Sequence, residues 1–474
     1  MMLTLADAIE AMTSTRPPAP AVIAEAAIDS RQVQPGSLFV ALRGERVDGH
    51  DFLEDAFGRG ASFALIQRDA VGTFKTVDLR PGAAPPDAGQ LTPPLCLRVE
   101  DSLAALQQIA RFWRRKLTLR VIGITGSVGK STTKEVVAQV LAERFRTLRS
   151  PGNLNNEIGL PLTMLRLNSE HECAVLEMGF YVPGEIKFLC EIALPQIGVV
   201  TNVGTVHAER AGSQEAIARG KAELVESLPA APEGTAILNF DDPLVRDMHR
   251  KTSARVLYYG LSREAELWAD DVEGLGLDGV RFRMHYRGES MHVRIPMIGR
   301  HSVETALRAT AVGLVEGLSW QEIVAGLSHG QTQLRLVAVR SRTGALLLDD
   351  TYNASPESML AALNLLSELT AKRKIAVLGD MLELGPYERE SHEMIGMRAA
   401  QVADVLVTLG PRAHTYAQAA QRAGTPSAKI YEFNESDGVI EWLQKNLSET
   451  DVALLKGSHG LRMDRIVAAL EQGS

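Results

Sequence analysis

The apolar residues of this chain fall into short runs, each closed by a polar or glycine-bearing cluster. "RVIGIT", "CAVLEMG" and "QIGVVTNVG" follow this habit from residue 119 onward, and after about residue 335 it restarts with "GALLLDD", "KIAVLGD", "DVLVTLG" and "VALLKG". Stretches with apolar positions at helical spacing separate the runs. Buried-strand runs alternating with helices predict parallel sheets covered on both faces, so this part reads as two doubly wound α/β units, the second smaller. Up to about residue 118, runs such as "SLFVAL" alternate with turn residues instead, and "RPGAAPPDAGQLTPP" predicts an exposed loop. The expected division is 1–118, 119–333 and 334–474, with no short-period repeat, heptad run or long charge block.

The first junction of the middle part carries chemistry. In "GITGSVGKSTTKEV", residues 123–136, the common phosphate-loop template G-x-x-x-x-G-K-[ST] would need glycine at 124, where isoleucine stands, so the loop is one residue tighter. Val136, Val137, Val140, Leu141 and Phe145 then fall on one face of a helix. A glycine-rich turn between strand and helix aims backbone N–H groups and the helix dipole at an anion. Lys130 can add charge, and the hydroxyl of Ser131 can hold a magnesium ion. A tight turn with a solvated lysine is the plainer reading, but packing gives no reason for the lysine–hydroxyl pair.

In an open parallel sheet, ligands sit beyond the carboxyl ends of the strands, so the ends of neighbouring strands face the same phosphate. Glu177 ends "CAVLEMG" and His207 follows "QIGVVTNVG"; each is a candidate metal ligand, and each could equally be a capping or surface residue. In "SQEAIARGKAELVESL", Lys221 falls on the stripe formed by Ile217, Leu224, Val225 and Leu228. Either its stem snorkels to water, or an uncharged amine there takes up CO₂ as a carbamate.

Composition narrows the classes. The chain has 474 residues, 45% hydrophobic and 23% charged, which suits several globular domains. A formal charge of −8 argues against nucleic-acid backbone binding as the main activity. Three cysteines are too few for a disulfide framework, and no apolar run approaches the ~18 residues of a membrane helix. The expected location is the cytoplasm, without membrane insertion.

Taken together, "DSRQVQPGSLFVALRGERVDGHDF", "TGSVGKSTTKE", "GNLNNEIGLPLTML", "EMG", "NVGTVHAERAGS", "GKAEL", "LLLDDTYNASPESM", "VLGDMLELG" and "LLKGSHGLRMDR" resemble the Mur ligase family over nearly the whole chain. The short loop T-G-x-x-G-K-[ST] belongs to that family, and "GDMLELG" with "DDTYNASP" resembles its D-alanyl-D-alanine-adding branch. The resemblance implies an N-terminal α/β UDP-sugar-binding domain, a central parallel-sheet P-loop ATPase domain and a C-terminal Rossmann-like α/β domain. It implies a monomeric peptidoglycan-precursor ligase joining UDP-N-acetylmuramoyl-tripeptide and D-alanyl-D-alanine through an acyl phosphate, with ATP and two Mg²⁺ ions.

It also implies roles. Thr125, Gly126, Ser127, Gly129, Lys130, Ser131 and Thr132 would bind ATP phosphates, with Arg335 reaching back to them and Asp350, Tyr352 and Asn353 near the nucleoside. Ser131, Glu177, His207 and a carbamylated Lys221 would hold the metals. Ser30, Arg31, Arg43, Gly44, Asp48 and His50 would line the UDP-sugar pocket, and Asn153, Asn155 and Asn156 the central cleft. The chain departs from the family pattern at Val128, Phe180–Val182, Ser302, Thr305, Leu334 and His459. A nucleotide switch would hydrolyse ATP without a carboxylate substrate, and a folylpolyglutamate-synthase-like ligase would lack the N-terminal segment.

Overall fold

The computed structural model describes the chain except residues 45–46, 70–73, 206–207, 330–336 and 472–474. The sequence-predicted residues His207, Leu334 and Arg335, and the 333/334 boundary, lie outside the described residues.

Three sheets organise the described residues. The first has five parallel strands in the order 26–27, 38–40, 63–66, 95–98 and 76–78. The stretch 80–94 is mostly exposed beside it, as its proline and glycine content predicts. The long helix Ser102–Lys116 begins at Asp101, whose side chain accepts from the Ala104 N–H. That helix joins the first sheet to the second. Its Trp113 Nε1 donates to the Leu167 carbonyl at 2.8 Å, its buried Arg114 Nε to the Ala193 carbonyl at 2.7 Å, and one continuous apolar core runs from Leu3 to Ala254.

The second sheet has nine strands, ordered 289–295, 280–286, 267–274, 255–260, 235–239, 197–200, 120–125, 173–177 and 147–149. From 255–260 onward the pairings are parallel, as the buried apolar runs predict. The strands 267–274, 280–286 and 289–295 instead form an antiparallel extension. "VRFRMHY" alternates buried and more exposed side chains, the mark of a sheet with one wet face, and Arg287 and Gly288 have φ of 50° and 85° at the hairpin turn. The sheet is therefore mixed rather than purely parallel.

The third sheet runs 337–340, 346–350, 451–456, 373–379, 405–409 and 430–433, parallel except for its first pair. Separate apolar clusters cover its two faces, one around Leu363, Leu378 and Tyr416, the other around Val377, Val439 and Ile466.

Candidate active site

Strand Arg120–Thr125 lies between strands 197–200 and 173–177, with Ile124 in register with Glu177, so the phosphate-loop sequence leaves the sheet beside both neighbouring strand ends. Two glycines shape the turn. Gly126 has φ of 144°, and a Cβ there would lie 1.8 Å from Thr201 Oγ1; Gly129 has φ of 84° and starts the helix Lys130–Ala142. Asn202 holds the loop from the next strand end. Its carbonyl accepts from the Ser127 N–H at 2.9 Å and its side-chain oxygen from the Val128 N–H, also at 2.9 Å. Thr201 Oγ1 donates to the Val128 carbonyl at 2.7 Å, Ser127 Oγ accepts from the Gly204 N–H at 2.8 Å, and Thr125 Oγ1 donates to the Met178 carbonyl at 3.0 Å.

At the helix start, the Lys130 ammonium donates to the Gly126 carbonyl at 2.8 Å. Ser131 Oγ donates to Glu177 Oε2 at 2.6 Å, and Asn155 Nδ2 donates to Glu177 Oε1 at 2.9 Å. Glu177 is buried, so these two donors fix its carboxylate at the mouth of the loop. Among the described residues no group of three or more His, Cys, Asp or Glu side chains is placed to hold a metal. Serine and carboxylate oxygens here suit a hard cation that keeps water and phosphate oxygens as its other ligands.

Lys221 does not snorkel. It is 1% exposed on helix Gln214–Glu226, with its ammonium 5.0 Å from the centre of the Phe180 ring. Burial, reinforced by the Lys130 charge, holds its pKa well below the usual lysine value. Both effects disfavour the charged ammonium.

A cavity of about 150 Å³ lies against the loop, between the second and third sheets. Ser127, Gly129 and Thr132 line it from one side and Asp350 and Asn353 from the other. Lys456, also in its wall, is 2% exposed and donates to Asp350 Oδ2 at 2.7 Å and the Asn353 carbonyl at 2.8 Å. Tyr352 is exposed, its ring 5.9 Å from that of His459.

The structure separates the central asparagines. Asn155 supports Glu177, Asn156 Oδ1 accepts from the Gly159 N–H at 2.9 Å at the start of a helix, and Asn153 is exposed. Asn156 also lines a second cavity, of about 330 Å³, with Gly179 and Tyr181.

In the N-terminal part, Arg43 and Asp48 form an isolated bridge and the Gly44 N–H donates to the Val47 carbonyl at 2.9 Å. His50 is buried, with both ring nitrogens engaged by the protein: Nδ1 lies 2.6 Å from Asp48 Oδ1, and Nε2 accepts from the Gln67 N–H at 3.0 Å. Ser30 is buried, while Arg31 is exposed and paired with Asp29 at 2.7 Å. Asp48 and His50 thus brace the loop that carries Arg43 and Gly44.

Loop, helix N-terminus and interdomain cavity define a nucleoside-triphosphate-binding α/β protein. The chain belongs to the Mur ligase family. Family models match residues 22–114 (Mur ligase family, catalytic domain), 124–313 (Mur ligase middle domain) and 334–459 (Mur ligase, glutamate ligase domain). The UDP-N-acetylmuramoyl-tripeptide–D-alanyl-D-alanine ligase of Synechocystis is 36% identical over 444 residues, 93% of this chain and 90% of that protein. The crystal structure of MurF from Acinetobacter baumannii superposes with a TM-score of 0.82 at 29% identity, covering 98% of each chain. The MurF ligase of Thermotoga maritima in complex with ADP gives 0.76 at 28% identity, covering 94% of this chain and 96% of that one.

Asn202, Thr201, Arg308 and Lys456 are among the polar residues at this site that the sequence reading did not single out. Asn202 had a usable signal, its place directly after a strand that neighbours the phosphate-loop strand. Lys456 stood in a quoted motif, but its ion pair to Asp350 joins residues 106 apart.

Proposed function

We propose that this protein is an ATP-dependent, ADP-forming amide ligase that adds D-alanyl-D-alanine to UDP-N-acetylmuramoyl-tripeptide, a step in making the peptidoglycan precursor. The observation that carries this reading is the phosphate loop with Lys130 and the Ser131–Glu177–Asn155 set, opening on a cavity shared with Asp350 and Lys456. Similarity over more than nine-tenths of the chain supports it.

In this reading a carboxylate must be activated before an amine can displace its oxygen. The terminal carboxylate of the tripeptide attacks the γ-phosphorus of ATP, ADP leaves, and the acyl phosphate is captured by the dipeptide amine with loss of phosphate. Lys130 and the loop N–H groups bind the phosphates and offset repulsion between the two anions. Asp350 and Asn353 would flank the nucleoside, with Tyr352 near it, and Arg335, outside the described residues, is assigned to the phosphates. Magnesium, held at two positions by Ser131, Glu177, His207 and Lys221, would supply further positive charge to the transferring phosphoryl group. The fit of Lys221 to a carbamate rests on its burial, which favours the neutral amine that reacts with CO₂.

The same reading gives the N-terminal residues Ser30, Arg31, Arg43 and Gly44, braced by Asp48 and His50, to the UDP-sugar, and Asn153, Asn155 and Asn156 to the central cleft. It sets domain boundaries at 118/119 and 333/334, and describes a cytoplasmic monomer. Three buried free cysteines favour a reducing compartment, and among the described residues no helix is long and apolar enough to cross a membrane.

The test is phosphate release from ATP across a panel of UDP-muramoyl peptides, with lysine or diaminopimelate third, and D-amino-acid dipeptides. Release that needs both a UDP-tripeptide and D-alanyl-D-alanine supports the ligase; release without a carboxylate substrate overturns it.

A further inference from the structure

Helix Ser302–Val315 buries an arginine beside the phosphate loop. Arg308 is 3% exposed, and all three of its nitrogens are engaged. Nε donates to the Tyr259 hydroxyl at 2.8 Å and Nη2 to Glu304 Oε2 at 2.7 Å. Nη1 reaches Thr133 Oγ1 at 3.2 Å and Thr305 Oγ1 at 3.4 Å.

Two routes lead from this guanidinium to the loop. One is direct, since Thr133 lies in the first turn of the phosphate-loop helix and Nη1 lies 3.0 Å from the place a Cβ on Gly129 would occupy. The other runs through Tyr259, whose hydroxyl donates to the Thr201 carbonyl at 3.1 Å, while Thr201 Oγ1 donates to the Val128 carbonyl at 2.7 Å. Thr305, the fourth partner, lines the cavity with Ser127, Gly129 and Thr132.

Packing alone does not explain an arginine here. A buried ion pair is commonly no more stabilising than an apolar side chain of the same volume, because two charges must be desolvated. The Glu304 side chain remains 32% exposed, so water screens the counter-charge more than the cation. The guanidinium thus adds a fixed positive charge beside Gly129.

We propose that Arg308 is a positioning residue for the nucleoside triphosphate. It holds Val128–Thr133 in the phosphate-receiving shape and adds a buried positive charge beside the loop. The proposal rests on the ATP-ligase reading only in taking the ligand to be a nucleoside polyphosphate.

The experiment compares the wild-type protein with Arg308→Met, Arg308→Lys and Tyr259→Phe. MgADP affinity is measured by calorimetry, folding by circular dichroism, and KM for ATP separately from kcat by phosphate release. Arg308→Met is expected to weaken MgADP about tenfold and raise KM for ATP similarly, with kcat at saturating ATP changed less than about threefold. Arg308→Lys is expected to recover part of the loss, because the charge returns without the planar fork. Tyr259→Phe, which cuts one route and leaves the cation, is expected to weaken MgADP about threefold.

MgADP affinity within twofold of wild type in folded Arg308→Met overturns the proposal, as does Arg308→Lys binding no better than Arg308→Met. Should Arg308→Met fail to fold, wild-type MgADP affinity in both of the other variants overturns it. Failure of the ligase reading shows separately, as wild-type protein that binds MgADP yet releases no phosphate with the UDP-tripeptide and dipeptide.

Discussion

Ser131 and Glu177 meet across the mouth of the phosphate loop, the serine hydroxyl donating to Glu177 Oε2 at 2.6 Å. One residue stands at a helix start and the other at the end of the neighbouring strand, so sheet register sets the separation of two hard oxygen donors. Ser131→Ala leaves the Glu177 carboxylate, among the described residues, with the Asn155 amide as its hydrogen-bond donor. The expected result is a loss of about a hundredfold in kcat with UDP-substrate affinity unchanged, read by phosphate release and calorimetry. A variant that loses both together would place the defect in folding.

Lys221 offers a sharper test because its amine is buried. If a carbamate on it serves the reaction, Lys221→Ala should lose about a hundredfold or more in rate at saturating Mg²⁺ and ATP. Activity should then return in part when a short free carboxylic acid is added to the vacated volume. Near-wild-type turnover by the variant would sink the carbamate assignment.

Lys456 ties two strand ends of the third sheet together through Asp350 and the Asn353 carbonyl. Lys456→Met removes the cation and leaves an uncompensated carboxylate in the cavity wall, so denaturant titration is expected to show a loss of about 3 kcal/mol. Adding Asp350→Asn should restore more than half of it, as a double-mutant cycle on a directly coupled pair. Simple additivity of the two losses would show that the pair contributes nothing as a pair.

Asp7 gives a pH signature far from the site. Burial pushes its carboxyl up, but Lys116, Thr4 and Arg16 outweigh that and bring its pKa down to about 2. A depressed carboxyl stabilises the fold above its unfolded pKa, ~3.9, and that contribution disappears as pH falls through the folded value. Asp7→Asn should therefore cost about 2 kcal/mol near neutrality, with the difference from wild type closing between about pH 4 and pH 2. A difference that stays constant across that window would show the carboxylate charge to be irrelevant.

The parallel strands of the second and third sheets were the most readable part of the sequence, because a strand buried on both faces must be almost wholly apolar. "RVIGIT" and "KIAVLGD" announce themselves for that reason, and the phosphate loop is readable because its anion site is made by consecutive backbone groups. Val136, Val137, Val140 and Leu141 are buried as their spacing predicts, with Phe145 partly so. The antiparallel extension was missed because its strands bury one face only and so lack the continuous apolar run that marks the others. Arg308 was hidden inside a largely buried helix, and its partners Tyr259 and Thr133 lie 49 and 175 residues away. Spacing within one segment carries no trace of contacts at that separation. Lys221 was ambiguous for a different reason: periodicity placed it on the buried stripe, but only the surrounding packing could show that its ammonium fails to reach water.

The hydrogen bond from Arg114 to the Ala193 carbonyl spans 79 residues of chain. At a synthesis rate of ~5–20 residues per second, the ribosome takes roughly 4–16 s to deliver that acceptor after the arginine has been made. Until then helix Ser102–Lys116 lacks the Ala193 carbonyl for Arg114, and for the earlier part of the interval the Leu167 carbonyl for Trp113 as well, so the apolar face it presents to the second sheet is incompletely covered. The first sheet is therefore made early but completed late, its exposed helix a surface for chaperone capture until the middle of the chain has emerged. The third sheet has apolar clusters on both faces whose buried residues all lie after residue 344, so its core is made in one stretch of chain.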